Sequence, residues 1–132
     1  MKEKIEDLMN RVKSSMYFKA YLALMDEDGK ILYNNFNDSF NRTLRGLVPI
    51  LKTLDTGEYH VRRLARSRLI ILRVSDGLVL AAESYARDGI LIFTMNNAVE
   101  RLREEFVELD LLMTLSDMAL PESESKIVEQ LV

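Results

Sequence analysis

Residues 68–84 read RLIILRVSDGLVLAAES, two apolar segments around a Ser75-Asp76-Gly77 turn. Leu69 to Val74 and Leu78 to Ala82 carry the aliphatic and β-branched residues that fit a pleated, buried surface, and the Asp-Gly pair suits a tight reversal. A second unit of this kind lies upstream, at residues 21–33, YLALMDEDGKILY. There Tyr17 to Met25 reads as a strand, Asp26-Glu27-Asp28-Gly29 as the turn, and Lys30 to Tyr33 as the start of the return strand. Two hairpins with apolar arms set the expectation of a sheet that helices must cover.

The segments around these hairpins supply the helices. Ile5, Leu8, Met9, Val12 and Met16 recur at spacings of 3 and 4, an amphipathic helix with a narrow apolar stripe. Packing on the sheet is the preferred reading of that stripe over membrane docking. Asn34, Asn35, Asn37 and Asp38 break the strand pattern, and Ser39 is placed as the cap of a helix over residues 39–56. Phe40, Leu44, Leu47, Leu51 and Leu54 form its main stripe, with Val48 and Ile50 widening it. Pro49 is expected to kink or divide this helix near Arg45, and Gly57 to stop it. Because this apolar coverage exceeds what one sheet face needs, Leu44, Leu47, Val48, Leu51 and Leu54 are the candidate dimer or partner interface.

Downstream, Glu58 to Arg66 is a further candidate strand with imperfect alternation. Ala86-Arg87-Asp88-Gly89 reads as another turn, and Ile90 to Met95 as the most apolar strand, expected to lie centrally. Five strands are expected, joined locally except across residues 39–56. Asn97 is placed as the cap of the closing helix, with Glu100 at the capping-box position. Val99, Leu102, Phe106, Leu109 and Met113 form its stripe, broadened by Leu111, Leu112, Leu115 and Met118. Pro121 marks its end. The chain thus divides into a domain over residues 1–120 and a tail or short docking helix over 121–132, where Ile127, Val128, Leu131 and Val132 cluster. The fold class is α/β of the α+β type. It is a three-layer sandwich with a five-stranded antiparallel sheet between helices, the first and last sharing one face and residues 39–56 covering the other.

Composition narrows function more than it assigns it. With 132 residues, 48% hydrophobic and 30% charged, the chain fits one soluble domain. Its net charge of -3 does not describe a polyanion binder. The charge is uneven: residues 100–132 hold 3 basic and 9 acidic groups, giving -6, which leaves +3 for residues 1–99. No cysteine is present, so disulfides and thiolate chemistry are excluded, and a cytoplasmic location is expected. MKEKIEDLM lacks the apolar core of a signal peptide, and no apolar run reaches the roughly 20 residues that span a bilayer.

Catalytic and metal signals fail on inspection. DEDGKILYNNFN lacks the ordered ligands of a calcium loop, so Asp26, Glu27 and Asp28 are read as a hairpin turn. His60 is the single histidine and has no nucleophile–base arrangement beside it. The glycines form no nucleotide-binding loop. No enzyme activity, cofactor or metal is expected. Arg62, Arg63, Arg66, Arg68 and Arg73 are the one basic concentration and the candidate basic contact surface. Solvated or intersubunit charge on an edge strand is the preferred reading. An acidic protein partner, such as residues 100–132 of a neighbouring chain, comes second, and nucleic acid or an acidic membrane third.

The landmarks EKIEDLMNRV, YLALMDEDGKILY, RTLRGLVPILKTL, RLIILRVSDGLVLAAES and GILIFTMNNAVERLREEF follow the order helix, two strands, helix, three strands, helix. Over about residues 3–113 this order resembles the roadblock/LC7 family, a profilin-like three-layer fold. The resemblance implies a non-catalytic adaptor or regulatory scaffold acting as a homodimer. It also implies antiparallel pairing of the third strand and second helix across a two-fold axis, and a protein partner such as a small Ras-like GTPase. The longin fold is the topological alternative, with a longin-like trafficking module as the matching function.

Overall fold

A computed structural model describes residues 1–36 and 38–117, the side chains of 38–40 and 117 excepted. Five strands form one antiparallel sheet: β1 (Tyr21–Asp26), β2 (Ile31–Asn34), β3 (Tyr59–Arg63), β4 (Arg68–Ser75) and β5 (Leu78–Ser84). Their order is β2-β1-β5-β4-β3. The helices are α1 (Lys2–Ser15), α2 (Asp38–Gly46), α3 (Val48–Leu51), α4 (Asp88–Arg101) and α5 (Arg103–Asp117).

Strand β5 is central and every one of its residues is buried, which is why its sequence runs apolar without alternation. Its even-numbered Leu78, Leu80 and Ala82 face a core shared with α1, α4 and α5. Val79 and Ala81 face a second core under α2 and α3, with Ala23, Met25, Leu69 and Ile71. The predicted three layers are therefore present, with the first and last helices on one face. The apolar stripe of α1 is spent inside the molecule: Ile5, Leu8, Met9 and Val12 are all buried.

Both hairpin turns form where the sequence places them. Asp26 Oδ1 accepts the backbone N–H groups of Asp28 and Lys30, each at 2.9 Å. Gly29 has φ 86°, and a Cβ there would collide with Val48 of α3. At the other turn Gly77 donates its N–H to Asp110 of α5 at 3.2 Å. Asn35 extends the first hairpin past the end of β2: its side-chain oxygen accepts from Leu22 N–H at 2.6 Å and its own N–H donates to Leu22 at 3.1 Å.

Four local expectations are corrected. Ile90 to Met95 is helical, so six apolar segments yield five strands. The spacing explains it: Leu91, Thr94, Met95, Ala98 and Val99 are buried at helical intervals, while Ile90 and Phe93 are exposed. Both sides of central β5 are already taken by β1 and β4. Residues 86–89 accordingly do not form a hairpin turn, since Arg87 caps α4 and Asp88 and Gly89 open it. Asn97 lies within α4 rather than capping the closing helix, and the break falls at Leu102. The helix expected over 39–56 is divided at Leu47 just ahead of Pro49, as expected, but it ends at Leu51 rather than at Gly57. The tail expectation for 121–132 lies outside the described residues.

Candidate partner-binding surfaces

Strand β3 is an edge of the sheet, unpaired on its outer side among the described residues, and its hydrogen bonding can be assigned. Leu64 N–H donates to Ser67 at 2.9 Å, and Arg73 N–H donates to Glu58 at 3.0 Å. In an antiparallel ladder bonded pairs alternate, so with the register Val61↔Ile70 the residues His60 and Arg62 bond toward β4. Tyr59, Val61 and Arg63 then turn their N–H and C=O groups outward. Among the described residues no strand pairs with those groups, which form a template for another strand.

The predicted apolar interface is only partly on the surface. Leu44, Leu47 and Leu51 are fully buried in the chain's own second core, which corrects their placement at an outer seam. They fill the sheet face that α2 and α3 cover. Val48 and Leu54 remain partly exposed. Val48 abuts Gly29, and Leu54 precedes the open strand β3.

The five arginines also separate. Arg73 is buried and points under α3, where its guanidinium donates to the Leu51 carbonyl at 2.6 Å and to the Asp76 carbonyl. It is a structural tie between sheet and helix end, not part of a contact surface. Arg68 pairs with Asp88 at 2.9 Å, and Arg63 reaches the same carboxylate at 3.5 Å. Arg62 lies across β3 from them, level with Leu69 of the second core. Arg62 and Arg66 are exposed and make no ion pair among the described residues.

The five arginines therefore do not all share one sheet face, yet four of them gather at one end of it. Lys19, whose carbonyl accepts from Ser84 Oγ at 3.1 Å, and Arg87, the cap of α4, join that end. Sequence reading missed Lys19 and Arg87 because they stand alone in loops. It missed exposed Ile90 and Phe93 because their segment was read as a strand.

The opposite end is acidic. Asp26, Glu27, Asp28, Asp76 and Asp110 line a cavity of about 200 Å³ between the two hairpin turns and α5. No group of three or more metal-ligating side chains is found among the described residues. The acidic charge of α5 is partly answered within the chain: Glu108 pairs with Lys4 at 2.6 Å and Glu105 with Arg11 at 3.1 Å. Both pairs are solvent-exposed and contribute little to stability. Glu83 is different. It is buried on β5, level with Tyr21 and Leu69, and desolvation raises its carboxyl pKa against a hydrogen bond from Ser67 that lowers it. His60 sits partly buried on the edge strand, level with Ile71 of the second core.

Neither a family model nor a curated protein matches the sequence. Solved structures do match the fold. Myxococcus xanthus MglB is similar at 15% identity with a TM-score of 0.60, over 82% of this chain and 91% of that one. The roadblock/LC7 domain from Streptomyces avermitilis is similar at 16% identity with a TM-score of 0.54, over 76% of this chain and 95% of that one. The fold is roadblock/LC7-like.

Proposed function

We propose, from this roadblock/LC7-like fold, that the chain is a non-catalytic, homodimeric adaptor or regulatory module of the cytoplasm. The open edge of β3 carries the reading. An antiparallel pair centred on Val61 would match Val61 with its own copy and Tyr59 with the copy's Arg63, using the outward backbone groups of each. Leu54, partly exposed on the second core and five residues ahead of β3, would add apolar surface to such a pair. Roadblock/LC7 proteins serve as adaptors and regulators of small Ras-like GTPases, so a GTPase of that class is the partner to test first.

Sedimentation of the wild type and Val61→Pro tests the dimer. Proline removes an outward N–H without removing a β4 bond, and edge strands tolerate it. The wild type should sediment as a dimer at high micromolar concentration and the variant as a folded monomer. A monomeric wild type rejects the assembly. For regulation, a purified GTPase must bind and change its nucleotide exchange or hydrolysis; binding alone supports an adaptor.

A further inference from the structure

We propose that the basic end of the sheet is a docking surface for anionic lipid membranes. Three loops meet there around Ser84, whose hydroxyl donates to the Lys19 carbonyl and accepts the Ala86 N–H, each at 3.1 Å. Ser84 is also level with Arg68 in the β4–β5 register, next to the β3–β4 turn that holds Arg66. Lys19, Arg62, Arg66 and Arg87 are exposed and make no ion pair among the described residues. Of the neighbouring acids, Asp88 is engaged by Arg63 and Arg68, and Glu83 is buried with its pKa raised.

Exposed apolar side chains flank these cations along the chain, Tyr17 two residues before Lys19 and Tyr85 two residues before Arg87. Tyr17 is 73% exposed, Tyr85 76%, Ile90 54% and Phe93 64%. Tyr85 precedes Arg87, and Ile90 and Phe93 lie three apart in the first two turns of α4, which Arg87 caps. A cationic rim with exposed aromatic and aliphatic groups fits the charged headgroup and acyl boundary of a membrane. Single-stranded nucleic acid would use the tyrosines and Phe93 for stacking but gives Ile90 no role. This discriminates in favour of lipid.

The net charge of -3 does not cancel this attraction. The acidic cavity lies at the far end of β4, eight residues or about 25 Å away. Screening in physiological salt acts over roughly 8 Å, so a surface touching one end feels that end alone. Lys19, Arg66 and Arg87 lie outside the Tyr59–Arg63 strand that would pair in a dimer, so the surface does not depend on dimerisation.

Vesicle co-sedimentation of the full chain tests the proposal. The wild type should pellet with phosphatidylcholine vesicles holding about 30% phosphatidylserine and not with phosphatidylcholine alone. Raising NaCl from about 50 to about 300 mM should release it. Arg66→Ser with Arg87→Ser should lower vesicle affinity about tenfold, and Ile90→Ser with Phe93→Ser by a similar factor. All four side chains are exposed, and circular dichroism should show both variants folded. Absence of binding to the anionic vesicles, equal binding to both vesicle types, or unchanged affinity in both variants overturns the proposal. Tighter binding to a single-stranded oligonucleotide than to the vesicles overturns it in favour of nucleic acid.

Discussion

The Arg73 guanidinium donates to the Leu51 carbonyl across 2.6 Å, joining the fourth strand to the end of a helix that covers it. The same group donates to the Asp76 carbonyl in the β4–β5 turn. One planar cation thus satisfies two backbone acceptors that would otherwise be left without it. Arg73→Ala should destabilise the fold by about 2–4 kcal/mol, because it removes both bonds and opens buried space. Arg73→Lys should recover only part, since an ammonium lacks the fork that reaches both carbonyls. Urea unfolding of the three proteins measures this, and equal midpoints for the wild type and Arg73→Lys would refute it.

Leu47 distinguishes core from interface. It is fully buried among Leu44, Leu51 and the sheet residues of the second core. Leu47→Glu should cost about 4 kcal/mol or more and unfold or nearly unfold the chain at every protein concentration. Leu54→Glu, at a partly exposed position, should leave the chain folded. A folded Leu47→Glu protein that merely dissociates would return Leu47 to the dimer seam.

Layer architecture was legible in the sequence because turn residues bound the apolar runs of the buried strands and the helix stripe repeats every 3–4 residues. Apolar runs flanking Asp-Gly turns located β1, β2, β4 and β5, and 3–4 spacing located α1. Ile90 to Met95 misled because ILIFTM is apolar at every position but one, and a short apolar run carries no period of its own. Extending the window to Leu102 reveals the helical spacing of Leu91, Met95, Ala98 and Val99. The interface residues misled for another reason. The width of the stripe in 44–54 suggested two partners, but breaking the helix at Leu47 lets one sheet absorb Leu44, Leu47 and Leu51 together. Arg73 could not have been separated from the other arginines by spacing, since its role depends on a carbonyl 22 positions earlier.

Gly29 and Val48 should be energetically coupled. Gly29 holds φ 86°, and a Cβ there would meet Val48 Cγ2. Gly29→Ala should therefore cost about 1 kcal/mol for backbone conformation and about 1–3 kcal/mol more for overpacking. In a Val48→Ala background the overpacking part should vanish and the backbone part remain. A double-mutant cycle by urea unfolding gives the coupling, and strictly additive costs would contradict the contact.

Glu83 should make stability depend on pH in the sense opposite to a salt-bridged carboxylate. Burial raises its pKa above the ordinary 4.5, so the folded chain retains a proton that the unfolded chain has released. Over that window the folded state binds more protons, and stability must fall as pH rises. The favourable protonated form is fully populated below the unfolded value, and its contribution is lost as pH climbs through the folded one. Glu83→Gln mimics the neutral carboxyl and removes this titration. Urea midpoints of wild type and variant should therefore be closest near pH 4 and diverge toward pH 7, with the variant the more stable there. Subtracting the two curves cancels the other carboxylates. A difference that stays flat with pH, or that favours the wild type increasingly as pH rises, would show that the buried carboxylate is stabilised by its surroundings rather than penalised by them.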